Sequence, residues 1–242
     1  MLKKNPLALL FVVLLLMPFL PSACGSIIIS DSRVSHSKYP ISSFLRFEKI
    51  KFGEKDYSVG FGSAFIIQSN PGYSLAVTNS HVCNYAVEQE QMMSLKVEYL
   101  YFKQVRTYDN ETYSDIEVLK YDDKKDLCLI KIHGLTGYPS VELSNTELEA
   151  GDDVYTIGSP GGFYLPKSSI VPIVKGSFIG DFIDDPDLGT GSMFNMIIYP
   201  GQSGSAIFDK NNKVIGVVSR VTTYVNISLS VRRQDLREFL SQ

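Results

Sequence analysis

Pro200-Gly201-Gln202-Ser203-Gly204-Ser205-Ala206 sets a serine between two glycines just after a proline. Glycine is used where the backbone needs φ > 0 or where another group must come close. The stretch therefore reads as a tight turn that lifts the Ser203 hydroxyl away from a strand end. Such a turn can also aim backbone N–H groups at one point, as stabilisation of an oxyanion requires. Many surface turns contain Gly-x-Ser-Gly, so the reading depends on finding partners for the hydroxyl elsewhere in the chain.

Two upstream segments supply them. Of the three histidines, His36, His81 and His133, only His81 directly follows an apolar run that reads as a buried strand, Tyr73-Ser74-Leu75-Ala76-Val77. Asp126 ends the polar turn Asp122-Asp123-Lys124-Lys125 and opens the apolar strand Leu127 to Ile132. There a carboxylate can be partly buried and still hydrogen-bond an imidazole. A serine hydroxyl is a poor nucleophile without an adjacent base. Histidine, with an ordinary pKa of about 6.5, suits that task, and a carboxylate behind it fixes its tautomer. The chain order His81, Asp126, Ser203 is that of chymotrypsin and differs from the Ser-Asp-His order of α/β-hydrolases. The hydrolase elbow Gly-x-Ser-x-Gly is not met either, because Ser205 stands at its last glycine.

At this point the chain resembles trypsin-like serine proteases, most of all their bacterial high-temperature-requirement branch. Thr78-Asn79-Ser80-His81-Val82, Asp126-Leu127-Cys128-Leu129-Ile130-Lys131-Ile132 and Pro200 to Ser205 are similar to the three catalytic blocks. Gly60-Phe61-Gly62-Ser63-Ala64-Phe65-Ile66-Ile67 is similar to the glycine-rich hairpin before the histidine strand. Ala150 to Gly162 is similar to the strand and turn that open the second half. The resemblance runs over roughly residues 40 to 230. It implies an all-β fold of two six-stranded antiparallel barrels of the chymotrypsin type, a short C-terminal helix, and a cleft between the barrels holding His81, Asp126 and Ser203. It further implies an oxyanion hole from the N–H groups of Gly201 and Ser203. It implies a primary pocket around Ile197, Ile198, Val217 and Val218, whose apolar lining points to a small or medium aliphatic residue. The nucleophile block of this branch usually reads Gly-Asn-Ser-Gly-Gly-Pro. Here Gln202 is expected to point away from the chemistry, and Ser205 to tighten the backbone behind the nucleophile. No PDZ-like region follows, so a single protease domain is expected.

Composition agrees with a β-rich globular chain: 242 residues, 44% hydrophobic and 20% charged, with fourteen Tyr and fourteen Phe. Short apolar segments recur with turns between them. They are Tyr57 to Ile67, Ser74 to Thr78, Leu95 to Val105, Asp115 to Tyr121 and Leu127 to Ile132, then Asp153 to Gly158, Ile170 to Gly180, Met193 to Tyr199, Ala206 to Asp209, Val214 to Val221 and Asn226 to Ser230. That spacing favours a sandwich or barrel. Val231 to Ser241 reads as a closing helix. The expected organisation is a signal peptide over 1–23, a tether or incoming strand over 24–40, a first barrel over 41–140 and a second barrel with the helix over 141–242.

The leader carries Lys3 and Lys4 before an apolar stretch from Leu7 to Met17, too short to span a bilayer. Ser22-Ala23-Cys24-Gly25 resembles a lipobox with Pro21 where leucine is usual. Two outcomes stay open: Cys24 is lipidated and anchors an envelope protein, or cleavage after Ala23 releases a soluble periplasmic one. Loss of Lys3 and Lys4 takes the basic count from 23 to 21 against 26 acidic residues, a net charge near −5. That excludes nucleic acid as a partner class, which needs a basic patch, and leaves proteins or peptides as substrates. Cys83 and Cys128 each follow a triad member by two residues. Because the family brings His81 and Asp126 together, these cysteines either bridge as a disulfide or pack as small buried apolar groups. No cysteine or histidine spacing of a metal site occurs, and no cofactor is expected. The activity expected is exported serine endopeptidase; the alternative is an inactive binding module on the same scaffold.

Overall fold

A computed structural model describes residues 27–31, 38–52, 57–84, 100–162, 170–186, 188–221 and 227–242. The expected signal peptide (1–23), Cys24 and residues 95–99 of an expected strand lie outside them. Strands β2 (Phe44–Phe52), β3 (Tyr57–Asn70), β4 (Tyr73–Thr78), β5 (Leu100–Thr107), β6 (Thr112–Tyr113), β7 (Ile116–Asp122) and β8 (Leu127–His133) belong to the first half. They form one antiparallel sheet in the order β6-β5-β2-β3-β4-β8-β7, curled into an open half-barrel. Strands β9 (Asp153–Ile157), β10 (Ile170–Asp185), β11 (Gly189–Asn195), β12 (Ala206–Phe208), β13 (Val214–Val221) and β14 (Ile227–Arg232) form the second half. Their order is β10-β11-β14-β13-β12-β9, and β9 pairs again with β10, closing a six-stranded barrel. Strand β1 (Ile27–Asp31) adds outside, with Ile27 opposite Val174 of β10. The molecule is thus an all-β double barrel of the chymotrypsin type, its first sheet curled and its second closed.

Side-chain alternation explains the layers. Along β8, Leu127, Cys128, Ile130 and Ile132 are buried, and along β7 burial alternates residue by residue. Three cores result. Leu45, Phe47, Ile66, Val105, Ile130 and Ile132 fill the first sheet, and Val154, Val174, Phe194, Ile207, Ile215 and Val218 fill the closed barrel. Between them, Phe44, Phe65, Val77 and Leu127 of the first half meet Ile157, Ile173, Phe208 and Val217 of the second. The candidate residues sit at the rim of this third core.

Two expected elements are shifted. The strand expected over Met193 to Tyr199 is Gly189–Asn195, because β10 extends to Asp185 as a long arm and pairs with it. The helix expected from Val231 is α2 (Arg233–Ser241), because Val231 stays in the ladder opposite Val217. Arg232 then binds Asp235 through two bonds, Nε to Oδ2 at 2.7 Å and a second guanidinium nitrogen to Oδ1 at 3.1 Å, and Leu236 and Phe239 are buried.

Cys83 and Cys128 form a disulfide, with Cα atoms 6.5 Å apart, inside the first core. It closes a loop of 45 residues, for which loop-closure entropy gives about 4 kcal/mol. The double variant Cys83→Ala/Cys128→Ala should therefore show a clearly lower denaturant midpoint than the oxidised wild type. Equal midpoints would show that the bridge contributes nothing to the folded protein.

Candidate active site

β4 ends at Thr78, and the chain turns into the one-turn helix α1 (Ser80–Cys83). Asn79, Ser80, Val82 and Cys83 are buried while the His81 side chain is 50% exposed, so the turn presents one residue outward. Asp126 closes the β7–β8 turn in the left-handed region, φ 53°, which short polar side chains tolerate. Its side chain is 16% exposed. His81 Nδ1 lies 2.8 Å from Oδ1 and 3.0 Å from Oδ2 of Asp126. The His81 backbone N–H donates to Oδ1 at 3.2 Å, and Asn79 Nδ2 donates to the Asp126 carbonyl at 2.9 Å. A carboxylate on Nδ1 holds the proton there in the neutral ring and leaves Nε2 as the basic nitrogen.

Ser203 stands in the turn between β11 and β12. Gly201 has φ 97° and Gly204 φ 86°, the left-handed backbone that the sequence reading requires of them. A Cβ on Gly204 would also collide with the Ser63 carbonyl and the Thr78 hydroxyl. The turn therefore packs against the end of β4, three residues before His81. Gly204 N–H donates to the Val218 carbonyl and Val218 N–H to the Ser205 carbonyl, both at 2.9 Å, which hangs the turn on β13. Among the described residues, no acceptor is in hydrogen-bonding position for the N–H of Gly201 or Ser203.

A model of the trypsin-like peptidase domain matches residues 62–217. The chain belongs to the trypsin-like peptidase family. It is 33% identical over 163 residues, 67% of its length, to a "Probable periplasmic serine endoprotease DegP-like" of Pseudomonas putida (strain W619), covering 29% of that protein. It is 29% identical over 203 residues, 81% of its length, to "Serine protease HTRA1" of Xenopus tropicalis, covering 39% of it. The chain thus spans roughly a third of the length of these relatives, and their names agree with the branch that the sequence blocks resemble.

The other residues singled out in the sequence take specific places. Val217 lies in the core between the halves and Val218 in the closed barrel, both fully buried. Ile198 packs, half-buried, against the same cluster as Val218, and Ile197 is half-buried nearby in sequence. Gln202 is not idle. It is fully buried, and its Oε1 accepts the Tyr199 N–H at 2.9 Å, bracing the approach to the turn. Ser205, two residues after Ser203, is equally buried.

Two serines escape the sequence reading. Ser219, at the end of the buried run in β13, donates its hydroxyl to Asp126 Oδ2, so the carboxylate is held from both halves. Ser63, in β3, binds both the Ser203 turn and Thr78 at the end of β4. Among the described residues no cluster of three or more His, Cys, Asp or Glu could hold a metal ion.

Burial pushes the Asp126 carboxyl up. The hydrogen bond and charge of His81, the Ser219 hydroxyl and the His81 N–H outweigh that and hold it below the usual carboxylate range. A group with a lowered folded pKa contributes stability that is complete above its unfolded pKa and is lost as pH falls through the folded one. Ser219→Ala should raise the folded value towards the unfolded one. Its deficit in unfolding free energy against wild type should be full above the unfolded carboxylate value of about 4 and shrink as pH falls through the lowered folded value. A deficit independent of pH in denaturant titrations would detach Ser219 from the Asp126 charge.

Proposed function

We propose that the protein is an exported serine endopeptidase that cleaves proteins or peptides through His81, Asp126 and Ser203. The observation that carries this reading is the His81–Asp126 hydrogen bond, set at the cleft rim where the two halves join, with the Ser203 turn packed against the strand leading to His81. His81 Nε2 takes the Ser203 proton as Oγ adds to the scissile carbonyl carbon. The carbonyl oxygen becomes an anion received by the N–H groups of Gly201 and Ser203, each such donor being worth about 3–4 kcal/mol. Collapse breaks the C–N bond, and His81 returns the proton to the leaving amine. A water then repeats the sequence on the acyl-enzyme, and Ser203 is regenerated.

Past Val218, whose N–H and carbonyl are taken by the turn, β13 offers an edge to which an extended substrate can add as a strand. The half-buried Ile197 and Ile198, backed by Val217 and Val218, favour a small or medium aliphatic residue before the scissile bond. The leader and the periplasmic relatives support export, with Cys24 either lipidated at the envelope or removed with the signal peptide.

Fluorophosphonate labelling with mass spectrometry tests the reading. The adduct should fall on Ser203 and disappear in His81→Ala, and Ser203→Ala should lower kcat for peptide hydrolysis by about a millionfold without loss of fold. A folded protein that takes no label and cleaves no peptide would instead be a binding module on a protease scaffold.

A further inference from the structure

Ser63 lies in β3, far from the three blocks that carry the chemistry, and is fully buried. All its hydrogen-bonding groups are used around the site. Its N–H donates to the Ser203 carbonyl at 2.8 Å. Its own carbonyl accepts from the Thr78 hydroxyl at 2.7 Å. Its hydroxyl donates to the Gly201 carbonyl at 2.8 Å and accepts from the Ser159 N–H at 3.2 Å. One residue thereby joins the nucleophile turn, the strand leading to His81 and the segment after β9.

The consequence follows from peptide geometry. In a trans peptide group the C=O and N–H point in opposite directions, so an anchored carbonyl aims the N–H of the next residue. Four successive carbonyls of the turn are anchored. Pro200 accepts from Gly161 N–H at 2.5 Å, Gly201 from the Ser63 hydroxyl, Gln202 from Ser205 N–H at 3.0 Å and Ser203 from Ser63 N–H. The first and third anchors aim the N–H groups of Gly201 and Ser203, the two without an acceptor among the described residues. The second and fourth, both from Ser63, stop the intervening peptides from rotating. The Ser159 bond ties the same hydroxyl to the segment that supplies Gly161.

We infer that Ser63 is a positioning residue for the oxyanion hole, its hydroxyl fixing the Gly201 peptide and the Ser159–Gly161 segment in one arrangement. This rests on the reading that Gly201 and Ser203 receive the oxyanion. The second half aims the two N–H groups through Gly161 and Ser205, and β3 of the first half holds the peptides between and after them through Ser63.

Ser63→Ala removes one buried hydroxyl and keeps the backbone bonds. With active sites counted by fluorophosphonate, kcat should fall about ten- to a hundredfold, less than or equal to the loss of a whole oxyanion donor, while KM stays near the wild-type value. The affinity of a peptidyl boronate, whose adduct places an oxygen in the hole, should fall by the same factor as kcat/KM. The pH profile of kcat should not move, because the hydroxyl does not touch His81 or Asp126. A kcat near wild type, or a boronate affinity unchanged while kcat/KM falls, overturns the inference. Should Ser63→Ala fail to fold, Ser63→Cys, which keeps a weak donor at the same place, reads the same ratio with a smaller loss. Amide hydrogen exchange separates this inference from the catalytic reading. Even in an inactive protein, Ser63→Ala should speed exchange at Gly204 and Ser205, and unchanged exchange there overturns the positioning role.

Discussion

The Asp126 carboxylate is the constraint on which the arrangement of the site depends. A charged group largely withdrawn from water is tolerated only when its lone pairs are hydrogen-bonded. Asp126 meets that demand with the His81 ring, the His81 N–H and the Ser219 hydroxyl. Two of these donors come from α1 in the first half and one from β13 in the second. Satisfying one charge therefore fixes the His81 ring and draws the closed barrel onto the curled sheet. The left-handed backbone of Asp126 and the bond from Asn79 to its carbonyl add to the same end.

The disulfide acts on the same two segments from behind. Cys83 follows His81 by two residues, Cys128 follows Asp126 by two, and the bridge lies in the first core rather than in the cleft. It shortens the chain excursion between the His81 and Asp126 segments in the unfolded state. The hydroxyl of Ser80 on Asp123 adds a further tie between α1 and the turn before β8. The half-exposed His81 ring thus sits on backbone tied from two sides.

The parts of the site legible in the sequence are those whose signal is local. A serine between two glycines, a histidine after a buried strand and an aspartate at a strand mouth each announce themselves within a few residues. The cysteines are legible only through the contact between those segments. Ser219 carries no local signal, since a serine in an apolar strand reads as an ordinary strand residue, and the glycine-rich block that contains Ser63 does not say what its hydroxyl binds. Their roles come from contacts 93 and 138 positions away in the chain. The misplaced strand has a similar cause. The apolar run from Met193 to Tyr199 resembles a strand, yet Tyr199 is needed to receive Gln202 at the turn. The ladder instead recruits Gly189 and Gly191, where a side chain at Gly191 would strike Phe182 of the facing strand.

The division of labour between the halves follows from these contacts. The first half supplies His81, Asp126 and Ser63, and the second supplies Ser203, Gly201 and Ser219. Each has an apolar core of its own. Neither holds the whole set of contacts, because the Asp126 carboxylate lacks Ser219 without the second half and the Ser203 turn lacks Ser63 without the first. The core between them, from Phe65 and Val77 on one side to Phe208 and Val217 on the other, is therefore as much a part of the candidate site as the polar residues at its rim. It brings two sets of hydrogen bonds into register at once, and dispersion between close-packed side chains holds that register more rigidly than exposed ion pairs could.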